Sequence, residues 1–452
     1  MTAVQPARAV VSPRQPALWI ILALLVAGGA RMATIGMRFA ATYPVATLTA
    51  LLLFALLAVP FWLFVAELDF LEREPIVLRV VAFAWGGLVA TAVSIPGGAA
   101  LEDITAKLGS PHLAADWGAA LAGPTVEEIA KTLGVVAIVL IARAQVNSVL
   151  DGVVYGALVG LGFQIVEDVV FALGAVALAG QGDQVQPVVA TFLLRGFLSG
   201  MWSHTLFGAL AGAGIGYLVV RTDRSIHHRV RVMLLAVLGA WASHVLWNSP
   251  LFTDGLGNGG LALLAVLLFK GLPPLVLILL LVRIAHDREA DYYVGQLATL
   301  HDPALITDAE LSALRSGSRR AAARRHAGHR ARSAVRRLQR AQAQLAVELS
   351  RASCSVSGGL AGSVSGGSDS DSSVAGGSVS GGSVAGCSVA GGSVRVSRCC
   401  DEVRDQRRIL VAMGHPEAVA GPRTWRHTAS AVGTAVLAVA VLWAALTALG
   451  GA

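Results

Sequence analysis

Four stretches of this 452-residue chain set ionisable or amide side chains inside long apolar runs. The first reads Gly123-Pro124-Thr125-Val126-Glu127-Glu128-Ile129-Ala130-Lys131 and the second Gly162-Phe163-Gln164-Ile165-Val166-Glu167-Asp168. The third is Trp202-Ser203-His204-Thr205, and the fourth Ser243-His244-Val245-Leu246-Trp247-Asn248. An ionisable group at bilayer mid-depth costs at least ~2.5 kcal/mol, so residues kept there are candidates for function. The chemistry this set permits is amide hydrolysis. A carboxylate such as Glu127 can take a proton from water as general base and return it to the leaving amine. Two imidazoles, His204 and His244, with Glu167 can polarise a scissile carbonyl, hold the water or bind a metal. Zinc accepts His and Glu ligands and lowers the pKa of its bound water to about 7. Asn248 can donate to a developing oxyanion, where one such donor is worth roughly 3 kcal/mol. Lys131 can hold one of the carboxylates charged.

Each stretch also has an ordinary structural reading. Pro124 followed by two glutamates suits any helix start, through the missing proline N–H and the macrodipole. Glu127 and Lys131, four residues apart, make a simple helix ion pair. Glu167 and Asp168 can line a transport path or pair with a cation from another helix. A lone histidine such as His204 is more often a hydrogen-bonded packing residue than a ligand. His244 and Asn248 share a helical face, but asparagine also ties membrane helices together. Spacing leaves open which of Glu127 and Glu128 is the base, because neighbours on a helix point about 100° apart. The metal is open too, since the chain has no His-Glu-x-x-His.

These residues must be positioned by membrane helices. With 55% hydrophobic and only 14% charged residues, the chain falls far below the quarter of charged residues usual in soluble domains. Apolar runs near 17–37, 45–66, 77–97, 124–142, 149–178, 200–220, 231–249 and 260–284 predict about eight core helices, several beyond the roughly 18 residues that span a bilayer. A ninth, 429–449, stands apart near the C-terminus. The expected fold is an all-α polytopic helical bundle. An outer-membrane barrel is excluded because the runs are continuous rather than alternating. Residues 188–199 read as a lead-in that packs at the interface or re-enters.

Basic loops then set the orientation. Arg221, Arg224, Arg229 and Arg231 lie in one connection, and the chain after Arg283 is strongly basic. Both are therefore expected in the cytoplasm, with the N-terminus; Arg31 and Arg38 fit this assignment less well. Working outward, Glu127, Glu128, Glu167, His204 and His244 all fall at the outer level of the membrane. That shared depth follows from charges outside the four stretches, so it is an independent reason to group them.

The divisions expected are a membrane-embedded domain 1–285, a basic helical segment 286–351, a Gly/Ser/Val-rich linker 352–398, a juxtamembrane segment 399–428 and the last helix, 429–449. Thr307-Asp308 reads as a helix cap before Glu310 and Leu311. Residues 315–351 carry eleven arginines and form a basic helix or disordered arm that lies on anionic lipid headgroups, at roughly 1 kcal/mol per residue near the surface. A nucleic-acid partner is not expected, because no Phe, Tyr or Trp is interleaved with the arginines. The four cysteines (Cys354, Cys387, Cys399, Cys400) lie in the tail without zinc-site spacing, and Cys399 and Cys400 are expected to stay reduced.

The four stretches together resemble the PrsW family of bacterial intramembrane proteases, in the superfamily that contains the CAAX-prenyl endopeptidases. That family's pattern is Glu-Glu-x-x-Lys, Phe-x-x-x-Glu, a lone His, then His with Asn or Asp four residues on. Here it stands as Glu127-Glu128-Ile129-Ala130-Lys131, Phe163 through Glu167, His204, and His244 through Asn248, over about residues 80–285. The resemblance implies a peptidase, a metalloprotease or glutamate-type hydrolase. Its catalytic set would be Glu127, Glu128, Lys131, Glu167, His204, His244 and Asn248, with Phe163 against the substrate. It implies a divalent metal such as zinc, with Glu167, His204 and His244 as the expected ligands. It further implies a membrane protein substrate, a single-span anti-sigma factor cut at the extracytoplasmic side. Two other readings compete. A transporter or channel would use the same groups as a proton or cation path, although the halves show no inverted repeat. A non-catalytic scaffold would keep the fold and bind membrane helices.

Overall fold

A computed structural model describes residues 13–198, 204–251, 265–362 and 394–419, without the side chains of 197, 198, 267 and 353–362. It divides into two compact units, Met1–Glu289 and Ala290–Ala452, so the first boundary falls four residues beyond the one expected at 285. Trp202 and Ser203, most of the linker and the last helix, 429–449, lie outside the described residues.

The first unit is built from helices alone among the described residues: α1 (Pro16–Thr42), α2 (Pro44–Leu68), α3 (Ile76–Leu108), α4 (Pro111–Ala142), α5 (Val149–Ala179), α6 (Gln186–Thr191, continued as a π-helix over Phe192–Leu198), α7 (His204–Val220), α8 (Ile226–Asn248) and α9 (Leu272–Ala298, led in by a π-helical Val266–Gly271). Among the described residues, six helices are long and apolar enough to cross a membrane. α7 is apolar but shorter, and α4 carries Glu127, Glu128 and Lys131 within its length. The helical membrane bundle expected from the apolar runs is therefore observed. The lead-in expected at 188–199 is helical over its described residues, 188–198, and carries an arginine, Arg195, that the sequence reading passed over.

α5 lies at the centre. Every residue from Leu150 to Ile165 is buried, the pattern of a helix enclosed on all sides. Its start is held by a capping box between Ser148 and Asp151, which satisfies two otherwise orphaned N–H groups. Glycines let its neighbours approach. Gly152, Gly156 and Gly160 face Gly212, Gly208 and the His204 carbonyl of α7; a Cβ at Gly156 would lie 2.1 Å from the Gly208 oxygen. This small-xxx-small seam is how membrane helices gain contact where lipid offers no hydrophobic drive. On α3 a π-turn over Trp85–Ala90 brings Gly86 against the Val159 carbonyl, with 1.9 Å left for a Cβ. α1 and α2 turn large apolar side chains outward, among them Trp19, Leu48 and Leu56, as a lipid-facing surface must.

The second unit holds α10 (Asp308–Leu314), α11 (Gly317–His326), α12 (Gly328–Gly362) and α13 (Val394–Ala412). The helix cap expected at Thr307 is present, and Glu310 completes it as a capping box. Glu310 is buried, and accepts from Arg407 of α13 and from Gln342 of α12 at 2.9 Å. The arginine-rich stretch is thus helical. Cys400 is disulfide-bonded and fully buried, which corrects the expectation that it stays reduced; Cys399 is free.

Candidate active site

The glycine seam decides where the site forms. Gly160 rests on the His204 backbone, so the first residue of α7 is pressed against the stretch of α5 that carries Phe163, Gln164 and Glu167. His204 packs on the Phe163 ring with centroids 4.9 Å apart, and the next residue, Thr205, donates to Gln164 Oε1 at 3.1 Å. α4 is registered from two sides. Trp85 of α3 donates its indole N–H to the Ala130 carbonyl at 3.0 Å, and Trp241 of α8 donates to Thr125 Oγ1 at 3.0 Å. These bonds bracket the Glu127–Glu128 pair. The edge of the His204 ring also meets His244 of α8, at 4.9 Å between centroids.

Within this frame the two adjacent glutamates do different things. Glu128 Oε1 accepts from Lys131 Nζ at 2.6 Å and from His244 Nδ1 at 2.8 Å, and both carboxylate and ammonium are buried. Glu127 sits one helical step away with Oε2 buried and without a hydrogen bond. That oxygen lies 3.7 Å from His204 Nδ1, 3.8 Å from His244 Nε2 and 3.8 Å from Lys131 Nζ. These separations are too wide for hydrogen bonds, yet one water or ion would bridge them. Lys131 also bonds His204 Nδ1 at 2.8 Å and lies 4.6 Å over the Phe163 ring.

Each imidazole is oriented by a carboxylate behind it. His204 Nε2 is 3.0 Å from Glu167 Oε2, and His244 Nδ1 bonds Glu128. With those nitrogens donating, the opposite nitrogens, His204 Nδ1 and His244 Nε2, turn toward Glu127. The bonding network assigns these tautomers. Asn248 reaches His244 Nε2 at 3.3 Å and is solvent-facing. A cavity of about 410 Å³ opens onto the group. Glu127, Phe163, Glu167, His204, His244 and Asn248 line it, while Glu128 and Lys131 stand behind.

All eight candidate residues therefore meet at one place. The metal-competent group among the described residues is Glu127, His204 and His244, each offering a ligand atom within 4.8 Å of the others. It contains Glu127 where the expectation had Glu167, because Glu167 is turned away to His204 Nε2 and to Arg195. The set fits a divalent cation such as zinc: two imidazoles and one carboxylate are its ordinary donors. Both imidazoles have carboxylate partners on their far nitrogens, the usual support for ligating histidine, and the Glu127 oxygen has no other bond. Lys131 competes with such an ion for the His204 Nδ1 lone pair.

Arg195 is the site residue that sequence reasoning missed. Its signal was present in the Glu167-Asp168 pair, which asked for a cation from another helix. The glycine spacings in Gly152–Gly160 and Gly208–Gly216 were likewise legible as a close-packing seam.

No curated protein and no solved structure matches the chain. Residues 74–278 match the family model of the PrsW family intramembrane metalloproteases. That span holds every residue of the site just described, and the motifs it carries are those on which the resemblance rests. Over residues 74–278, a little under half its length, this chain is thus similar to the PrsW family of intramembrane metalloproteases.

Proposed function

We propose that this protein is an intramembrane endopeptidase that hydrolyses peptide bonds of membrane-embedded or membrane-proximal proteins, with Glu127 as general base. The observation that carries this is the Glu127 carboxylate. It is buried, has an unbonded oxygen, faces two imidazoles and an ammonium, and lines a cavity large enough to admit a backbone segment and a water. Glu128 is occupied by Lys131 and His244 and is walled off from the cavity, so its work is orientation.

In this reading Glu127 takes the proton from the attacking water and delivers it to the leaving amine. The water is directed by His244 Nε2 and His204 Nδ1, and Asn248, exposed at the same face, donates to the carbonyl oxygen as it gains charge. Phe163 forms the floor under His204. A divalent metal held by Glu127, His204 and His244 would, when bound, polarise the carbonyl and lower the pKa of its water. The substrate class is a single-span membrane protein such as an anti-sigma factor. Cleavage occurs near the extracytoplasmic face, since the basic connection 221–231 and the basic chain after Arg283 are held in the cytoplasm. The arginine-rich second unit faces anionic lipid headgroups there.

The test is cleavage of a library of tagged single-span substrates by the full-length protein in liposomes. Wild type is compared with Glu127→Gln, Glu128→Gln and His244→Ala, each with and without chelator. Activity lost on chelation and restored by zinc establishes a metalloprotease. Activity that ignores the chelator yet is lost in Glu127→Gln establishes a glutamate-activated water. Coupled ion flux without any peptide product overturns the proposal in favour of transport.

A further inference from the structure

Glu167 is held from two sides. Its Oε2 meets His204 Nε2 at 3.0 Å and Arg195 Nη2 at 2.7 Å. The same guanidinium sends Nε to Asp168 Oδ1 at 2.9 Å and lies 3.9 Å over the Phe171 ring. Arg195 thus spans two adjacent carboxylates of α5, which helical geometry alone would aim about 100° apart. Only a planar fork with several fixed N–H directions can do this; an ammonium is a single point. The arginine arrives on the π-helical Phe192–Leu198 of α6, an element that supplies none of the motif residues. Asp168 is 2% exposed, does not touch His204, and has no role in the hydrolysis described above.

We infer that Arg195, anchored by Asp168 and Phe171, is a positioning residue that holds the Glu167 carboxylate against His204 Nε2 and so fixes the tautomer and ring orientation of His204. The consequence is geometric. With Nε2–H donated to Glu167, the His204 lone pair lies on Nδ1, which accepts from Lys131 Nζ at 2.8 Å and stands 3.7 Å from Glu127 Oε2. Without Arg195 the Glu167 side chain is free to leave His204, and the ring's orientation and proton position then rest on the Lys131 contact at Nδ1 alone, a donor that is itself shared with Glu128. The neutral ring then presents N–H instead of a lone pair to Glu127 in part of the population. Second-shell partners of this kind typically matter by 10–100-fold in affinity or activity.

The kinetic part of the test rests on the peptidase reading above; the spectroscopic part does not. Full-length, chelator-treated protein in nanodiscs, labelled with ¹⁵N-histidine, is compared as wild type, Arg195→Gln, Arg195→Lys and Asp168→Asn. Expected is a single Nε2–H tautomer for His204 in wild type, a mixture in Arg195→Gln, and an intermediate in Asp168→Asn. Substrate cleavage is then measured for the same proteins with Glu167→Gln and the double variant Arg195→Gln/Glu167→Gln. The expected loss in Arg195→Gln is ~10–100-fold in kcat with KM changed by less than about twofold. The double variant should be no worse than Glu167→Gln alone, because Arg195 acts through that carboxylate. Arg195→Lys keeps the charge and the fold but should recover only part of the rate. If Arg195→Gln does not fold, Arg195→Lys and Asp168→Asn carry the comparison. A His204 tautomer unchanged in all three variants, or losses that multiply in the double variant, overturns the inference. If wild type cleaves nothing, the peptidase reading has failed and the tautomer measurement alone decides this one.

Discussion

The first unit buries two groups of acids, one toward each end of α5, and they are neutralised by different means. The candidate active site holds Glu127, Glu128, Glu167 and Asp168 among Lys131, Arg195 and two imidazoles. The other group gathers at the start of the helix: Asp69, Glu72 and Glu74 from the α2–α3 connection, and Asp151 from the first turn of α5. Asp151 and Glu167 are 16 positions apart, roughly 24 Å along the helix. The partners in this second group are mainly neutral donors. Asp69 accepts the Glu74 backbone N–H at 2.9 Å, and Asp151 accepts the N–H groups of Asn147 and Ser148 at 2.7 and 2.8 Å. Glu72 accepts from the Asn147 amide at 3.2 Å, and Glu74 from the Tyr155 hydroxyl. Arg79 stands off from Asp69 at 4.0 Å.

Charge matching separates the two roles. Buried carboxylates beside cations can stay ionised and serve as proton acceptors. Asp69 and Glu74, buried beside mainly neutral donors, are pushed toward their protonated forms, since an uncompensated buried ion would cost several kcal/mol. In the connection outside the membrane spans, burial pushes the Asp69 carboxyl up to about 8, against the Glu74 N–H and Arg79. Burial, with the neighbouring Asp151 charge, pushes Glu74 up to about 10. These acids therefore tie a connection to a helix start, whereas those at the other end, on the proposed reading, are set for chemistry.

The sharpest way to break this comparison is to remove one charge at each end. Glu127→Gln is nearly isosteric, and should lower kcat/KM by ~10²–10⁴-fold, the usual range for a general base. Thermal unfolding of the purified protein should move little. Glu74→Gln keeps an acceptor for Tyr155, and should leave cleavage within about twofold, as a group outside the reaction does. A large loss of rate in Glu74→Gln at unchanged stability would show that both ends take part in catalysis.

The glycine seam lies between the two ends, so overfilling it should damage both. Gly156→Leu puts a side chain where even a Cβ lies 2.1 Å from the Gly208 carbonyl. The helices must separate, and the expected cost is about 1–3 kcal/mol or more, as for other overpacked interiors. Detergent-denaturant titration with steric trapping of α5 against α7 measures it. Cleavage should fall as well, because His204 is carried by the shifted backbone. By contrast, Gly174→Ala on the same helix meets nothing within 4 Å and should be tolerated.

The sequence was informative where membrane physics acts on single segments and silent where segments meet. Long apolar runs announced most of the helices, because a span must satisfy its own backbone. Glu127, His204 and His244 could be singled out because polar groups in such runs are costly. Their division of labour could not. That Glu128 serves Lys131 and His244 while Glu127 faces the cavity depends on the rotation of α4, which Trp85 and Trp241 set from two other helices. Arg195 was hidden for a related reason, since an arginine near a helix end reads as an interface anchor until its carboxylate partners are known. The acids at 69–74 lie in a short connection between two apolar runs. Only their burial against Asp151 and Tyr155 gives them a structural role.

The smallest expected effect is the pH dependence of that second group. Asp69 titrates at about 8 in the folded protein and near 3.9 in an unfolded chain. Folding therefore favours its protonated form. The contribution is fully present below about pH 4 and is lost as pH rises through about 8. Glu74, displaced to about 10, extends the loss into the alkaline range. Backbone hydrogen exchange of residues 69–75 in nanodiscs should thus accelerate between pH 6 and 9 by more than the intrinsic base-catalysed increase. Asp69→Asn has no proton to lose and keeps an oxygen for the Glu74 N–H, so it should flatten that dependence. If exchange in the variant still rises like wild type, the acids at this end are ionised, and the contrast between the two ends of α5 fails.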